Sequence, residues 1–172
     1  MLERLEQGSG LFLLGNHDFK LARALAGRQV RRDAELIATL AALDPALREQ
    51  TLAAVAAAPA WLAAGSRFFV HGGFHTGMLA IPPPAAPIAG PVSGLVARAL
   101  YGETTGRMQP DGYPERSLRW VGRIPPGMTV YCGHDCRSTD GRPYIRRNDV
   151  GGTAVFLDTG AGKGGHLSWI DL

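Results

Sequence analysis

The stretch SRFFVHGG, Ser66 to Gly73, runs a short apolar segment into His71 and two glycines. A brief continuous apolar run bounded by turn residues reads as a strand covered on both faces, the kind found in a sheet flanked by helices. The same design recurs twice. GLFLLGNHD carries apolar residues from Leu11 to Leu14 into Gly15, Asn16, His17 and Asp18, and MTVYCGH ends a third run in Gly133 and His134. In an open sheet the ends of neighbouring strands converge on one crevice, so side chains far apart in sequence can build one site. Glycine beside each of them permits a tight turn and close approach of the backbone.

The segments between these runs are helical in pattern. Ala and Leu recur at three- and four-residue spacing from Lys20 to about Pro59, through AELIATLAAL and LREQTLAAVAAA. MLERLEQ reads as the end of a helix and GLVARALYG as another. IPPPAAPIAGP holds five prolines in eleven residues and reads as a surface loop, since proline cannot donate to a regular ladder. TAVFLDTG and HLSWIDL read as a last strand pair. The predicted class is α/β, in one domain covering residues 1–172.

Composition agrees with a globular chain: 172 residues, 45% hydrophobic and 19% charged, are enough for one core and outside the range of disordered tails. A formal net charge of +3 fits a phosphate-bearing substrate, while the scattered arginines argue against a nucleic-acid tract. The first ten residues lack the basic start and apolar centre of a signal peptide, and no apolar run nears membrane-spanning length. With two cysteines, Cys132 and Cys136, there is no disulfide framework, and a cytoplasmic location without membrane attachment is expected.

The residue types suit one chemistry. Neutral imidazoles and an amide oxygen can hold a divalent transition metal, which polarises phosphoryl oxygens and acidifies water. A histidine left free beside them could protonate a leaving oxygen, with a carboxylate holding its tautomer. Two other motifs fall away. CGHDC lacks the second cysteine pair of a structural zinc site. GAGKGG lacks the Ser or Thr and the helix of a phosphate loop, and reads as a hairpin turn with Lys163 at its tip. His75 reads as a loop residue and His166 as a strand residue.

LGNHD, FVHGG, YCGHD and LDTGAGKGGHL, in this order, resemble successive motifs of the calcineurin-like metallophosphoesterases, in the branch of the phosphoprotein phosphatases and diadenosine tetraphosphatases. NHDFKLARALAGRQV and RALYGETTGRMQPDGYPER resemble the phosphatase module of bacterial polynucleotide kinase-phosphatases. The resemblance implies that Asn16, His71 and His134 bind a metal, with manganese the usual ion of a two-metal centre. It implies that His17 is the general acid with Asp18 as its partner, and that Asp158 supports the site from behind. The implied activity is hydrolysis of a phosphomonoester or phosphodiester on a nucleic-acid end, nucleotide or phosphoprotein. The loop YGETTG with Glu103 would lie near the substrate.

Such enzymes also carry Asp-x-His and Gly-Asp-x-x-Asp-Arg motifs on their first strands, and neither occurs in this sequence. The expectation is therefore the C-terminal part of a metallophosphoesterase domain: an incomplete αββα sandwich lacking its first strands. Its exposed sheet edge would invite self-association. The alternative expectation is a catalytically inactive remnant, or an interaction module with the same partial fold.

Overall fold

The computed structural model describes residues 2–92, 94–110 and 112–172. The helix expected to begin at Met1 is thus described from Leu2, and Asp111 of the YGETTG-containing stretch lies outside the described residues. The chain is mixed α/β. Five helices are present among the described residues: α1 (Leu2–Glu6), α2 (Asn16–Leu25), α3 (Ala34–Ala42), α4 (Pro45–Ala57) and α5 (Gly94–Tyr101). The strands are β1 (Trp61–Ala64), β2 (Arg67–Val70), β3 (Glu103–Met108), β4 (Pro114–Ser117), β5 (Thr129–Cys132), β6 (Tyr144–Arg147) and β7 (Thr153–Phe156).

Five strands form one sheet in the order β1-β2-β5-β7-β6, while β3 and β4 make a separate ribbon. At the centre, β2, β5 and β7 run parallel, flanked by antiparallel β1 and β6. Parallel pairing needs long crossovers, and these carry α5, the ribbon and the Pro-rich segment. One sheet face is packed. Phe68, Val70, Val130, Cys132, Ala154 and Phe156 join Trp61, Phe74 and Trp120 in a core cluster, with Phe68 and Phe74 edge to face at 5.1 Å. A second cluster, Leu14, Phe19, Ala22, Val55, Ala58, Ile88 and Leu100, lies between α2, α4, α5 and the Pro-rich segment.

Local signals explain the helix starts. Asp33 and Asp44 accept from the backbone amides of Leu36 and Leu47, each side chain satisfying an otherwise unpaired donor at a helix N-terminus. Pro45 occupies the first turn of α4, where its missing amide costs nothing.

Several sequence expectations are corrected. Leu11–Leu14 is not a strand: Leu14 N–H donates to the Pro59 carbonyl at 3.0 Å, and the segment joins no ladder. HLSWIDL forms no strand either. It is tied back by Thr159 Oγ1 donating to the His166 carbonyl and Ser168 Oγ to the Leu157 carbonyl, both at 2.6 Å. His166 accordingly makes only an isolated bridge with Gly160, and GAGKGG is a single tight helical turn, Ala161–Lys163, rather than a hairpin. The sheet also closes without a gap at its centre, and its outer strand β6 carries Arg146 and Arg147, charges that discourage edge pairing. The two edges of the sheet are β1 and β6.

Candidate functional site

Three parallel strands end side by side. His71 follows β2 directly, His134 comes two residues after β5, and Asp158 two residues after β7. The fourth contributor, Asn16, is the first residue of α2, so the NHD triplet stands at a helix N-terminus rather than a strand tip.

Backbone contacts hold this arrangement. Gly133 N–H donates to the His71 carbonyl at 3.0 Å, tying the end of β5 to the end of β2. Gly72 N–H donates to the Ala99 carbonyl at 2.5 Å, so the last turn of α5 presses on the chain just past His71. A Cβ on Gly72 would stand 2.5 Å from the Gly102 nitrogen and 2.8 Å from the Tyr101 nitrogen. Only glycine fits there. His134 has φ 61°, alone among the described non-glycine residues, a left-handed conformation that costs roughly 1–2 kcal/mol. Such strain persists where surrounding structure imposes it, and it clusters at working sites.

The side chains of Asn16, His71 and His134 meet. His71 Nε2 lies 2.8 Å from Asn16 Oδ1 and His134 Nδ1 lies 3.2 Å from the same oxygen, with the two imidazole centroids 5.0 Å apart. Burial, reinforced by charge on His17, pulls His71 down to about 4 against the opposing charge of Asp158. Burial, then the charges of His71, Arg116 and His17, pull His134 down to about 3. Both rings are therefore neutral at pH 7, the form that offers a lone pair to a metal. His134 Nε2 is buried with no hydrogen-bond partner.

The donor set can be tested against a metal. Two ligands about 2.1 Å from a common ion and at right angles to each other stand about 3.0 Å apart. The separations of 2.8 and 3.2 Å match that spacing. Among the described residues no group of three or more His, Cys, Asp and Glu side chains is disposed to hold a metal ion. The third donor here is an amide, and the set contains no carboxylate. Without a metal, the same contacts form a hydrogen-bonded triad in which Asn16 Oδ1 accepts from both rings, given the matching tautomers.

The structure separates His17 and Asp18 in environment. The His17 side chain is 73% exposed, and its Nδ1 lies 3.9 Å from Glu35 Oε2. Asp18 turns back toward the start of α2, where a Cβ on Gly15 would meet its Oδ2 at 2.6 Å. Burial raises the Asp18 carboxyl above its ordinary value, against backbone hydrogen bonding at Gly15 and Asp18 and the charge of His17. His17 thus acts on Asp18 through charge and also lies near Glu35. Adjacent residues on a helix point about 100° apart, which is why neighbours in sequence diverge here.

Asp158 Oδ1 accepts from Gly160 N–H at 3.0 Å and acts on His71 through charge. His75 caps a turn, its Nδ1 accepting from Gly77 N–H. Cys132 is buried with its thiol pushed up, and Cys136 is exposed.

Sequence reasoning missed Arg116. It sits on β4, donates to the Tyr101 carbonyl, and is lowered by burial against the opposing charge of Asp135. Its charge also bears on His134, which puts a half-buried cation beside the imidazole pair. The signal was Pro110 and Gly112, turn-forming residue types between two short runs. Within YGETTG, Tyr101 ends α5 and Glu103 to Gly106 begin β3, the first strand of that ribbon. Glu103 there pairs with Arg123 at 2.6 Å and Arg98 at 3.5 Å, a structural tie and not a free acid.

No protein-family model matches the chain, and no curated protein matches it. Among the described residues no helix is long and apolar enough to cross a membrane.

Proposed function

We propose that Asn16, His71 and His134 bind one divalent metal ion and that the chain is a metal-dependent phosphoesterase of the calcineurin-like kind, its single sheet being one half of an αββα sandwich. The observation that carries this reading is the convergence of one amide oxygen and two neutral imidazoles at ligand-to-ligand spacing, at the ends of adjacent parallel strands. The resemblance of the motifs gives the reaction its name, and manganese is the ion it favours. A divalent ion there supplies polarisation of a phosphoryl oxygen and acidification of water.

The residues of the chain take the remaining roles. His17, exposed at the rim and beside Glu35, protonates the departing alkoxide or aryloxide oxygen. Arg116 offers a partly desolvated guanidinium to the phosphoryl group. Asp158 holds negative charge behind His71, and Asp18 fixes the turn at Gly15 that presents Asn16. Phosphorylated nucleic-acid ends, nucleotides and phosphoproteins are the substrate classes the resemblance supplies. A second reading, an inactive interaction module, is supported by the stacked, half-buried rings of Phe69 and Tyr131 on the face of the sheet away from the core.

The test is manganese binding by calorimetry together with hydrolysis of p-nitrophenyl phosphate, for the 172-residue chain and for His134→Ala. Manganese-dependent turnover lost in the variant supports the phosphoesterase. Metal binding without turnover leaves the metal site and removes the enzyme. A folded protein that binds no manganese overturns both.

A further inference from the structure

At the rim of the candidate site, carboxylates from the start of α3 meet basic side chains of α2. Lys20 follows Asn16 by one helical turn on the same face of α2, which puts the two Cβ atoms about 6 Å apart. Its ammonium pairs with the Asp33 carboxylate. Burial pushes the Tyr101 hydroxyl up, and the charges of Arg23 and then Lys20 pull against it, so Lys20 lies within electrostatic reach of that side chain. The Tyr101 ring in turn stands edge-on to His134, with centroids 6.4 Å apart. Glu35 Oε2 lies 3.9 Å from His17 Nδ1. Two carboxylates of one short segment thus face the two basic side chains of α2 nearest Asn16.

The helix that carries them is fastened unevenly. At its C-terminal end Arg48 of α4 donates from Nη2 to the Leu40 carbonyl at 2.7 Å and from Nε to the Leu43 carbonyl at 3.0 Å, satisfying acceptors that a helix end leaves unpaired. At its N-terminal end one carboxylate does two jobs: Asp33 Oδ1 caps the helix by accepting from Leu36 N–H, while Oδ2 takes Lys20. Leu36 is the one buried residue of α3, and Ile37 is 54% exposed. A groove of about 510 Å³ lies between α2, α3 and α4, bordered by Leu25, Leu40 and Leu52. An element with so little buried surface opens at low cost.

Charge decides what can displace it. An ion pair between exposed side chains is weak and screened by salt. A phosphate monoester carries nearly two negative charges at neutral pH and three acceptor oxygens, against one charge and two oxygens for Asp33. It therefore competes well for Lys20, and a singly charged phosphodiester competes less well.

We infer that α3 is an electrostatic latch on the candidate site: Asp33 stands on Lys20 where a phosphoryl group of the substrate would stand, Glu35 covers His17, and α3 swings out about its Arg48-clamped end when a phosphate-type anion takes Lys20. The latch makes the site selective for doubly charged phosphomonoesters over phosphodiesters. The inference rests on the phosphoesterase reading for the identity of the anion, and on the α2–α3 contacts for the device itself.

Binding of inorganic phosphate to the 172-residue chain, measured by calorimetry with manganese and again with a chelator, tests it. Asp33→Asn is the informative variant, because asparagine caps a helix as well as aspartate does and α3 keeps its N-terminal bond while the charge on Lys20 is freed. Phosphate affinity should rise about fivefold in Asp33→Asn. The gain should vanish when Lys20→Met is added, and shrink at about 0.5 M salt, where exposed charges are screened. An affinity unchanged or lowered in Asp33→Asn overturns the latch. So does a gain that survives Lys20→Met, or a folded chain that binds no phosphate in any variant. The two readings fail separately: the gain in chelator without any manganese binding removes the phosphoesterase and keeps the latch, while manganese-dependent turnover without the gain removes the latch alone.

Discussion

His71 and His134 share a residue type with His17 and little else. The pair is sunk at the ends of β2 and β5, neutral, and locked onto Asn16 Oδ1 by contacts of 2.8 and 3.2 Å. His17 stands in solvent on the first turn of α2, one residue from Asn16. Proximity in the sequence thus says little about shared environment, and residues 55 and 118 positions from Asn16 are its true neighbours. A buried imidazole is poised to lend a lone pair, and an exposed one is poised to exchange protons.

The contrast can be broken most forcefully at His134. Replacing it with glycine removes a proposed metal donor while relieving a left-handed backbone, so manganese affinity measured by calorimetry should fall at least ~100-fold with no loss of stability to urea. A large stability loss with unchanged metal affinity would reverse the two roles.

Next in size is Gly72→Ala. The new Cβ meets backbone atoms of Tyr101 and Gly102 that cannot step aside, and overpacking of this kind costs about 1–3 kcal/mol in urea unfolding. Gly15→Ala presses only on the tip of the Asp18 side chain and the rim of His71, and should cost less than half as much.

Acid should separate the histidines a third way. The folded values of about 4 for His71 and about 3 for His134 lie below the ordinary imidazole value of 6.5, so the unfolded chain takes up protons first. Stability in the presence of a chelator should be flat above pH 7, fall as the pH drops through 6.5, and level off near pH 3. Both shifts contribute, so the loss should amount to several kcal/mol. His71→Asn should flatten much of that slope.

The smallest effect belongs to His17→Ala. With its ring in solvent, stability should shift by less than about 0.5 kcal/mol and manganese affinity should hold. Turnover of p-nitrophenyl phosphate alone should slow, by ~10² or more for a lost general acid. A loss of metal affinity would instead make His17 a ligand.

Much of the site was legible before the fold. Glycine-bordered histidines after apolar runs pointed to Asn16, His71 and His134, and those three side chains do meet. The strand expected at Leu11–Leu14 failed because apolar character alone does not supply a ladder partner. Leu14 found its place in the helical core, and its amide took the Pro59 carbonyl. β1 and β6 went unread for the opposite reason, since WLAA and YIRR are too short to show alternation and gain their strand state by pairing with β2 and β7.

By itself the sequence determined the local chemistry: helices from 3.6-residue spacing and acidic caps, turns from glycine and proline, and an amide and two imidazoles at chain bends. Those follow from interactions within a few residues. Only the tertiary structure decided which face of the sheet lies away from the core, that Glu35 comes near His17, and that Arg116 bears on His134. Each of these depends on contacts between residues distant in sequence, whose geometry exists only once the parallel strands have aligned.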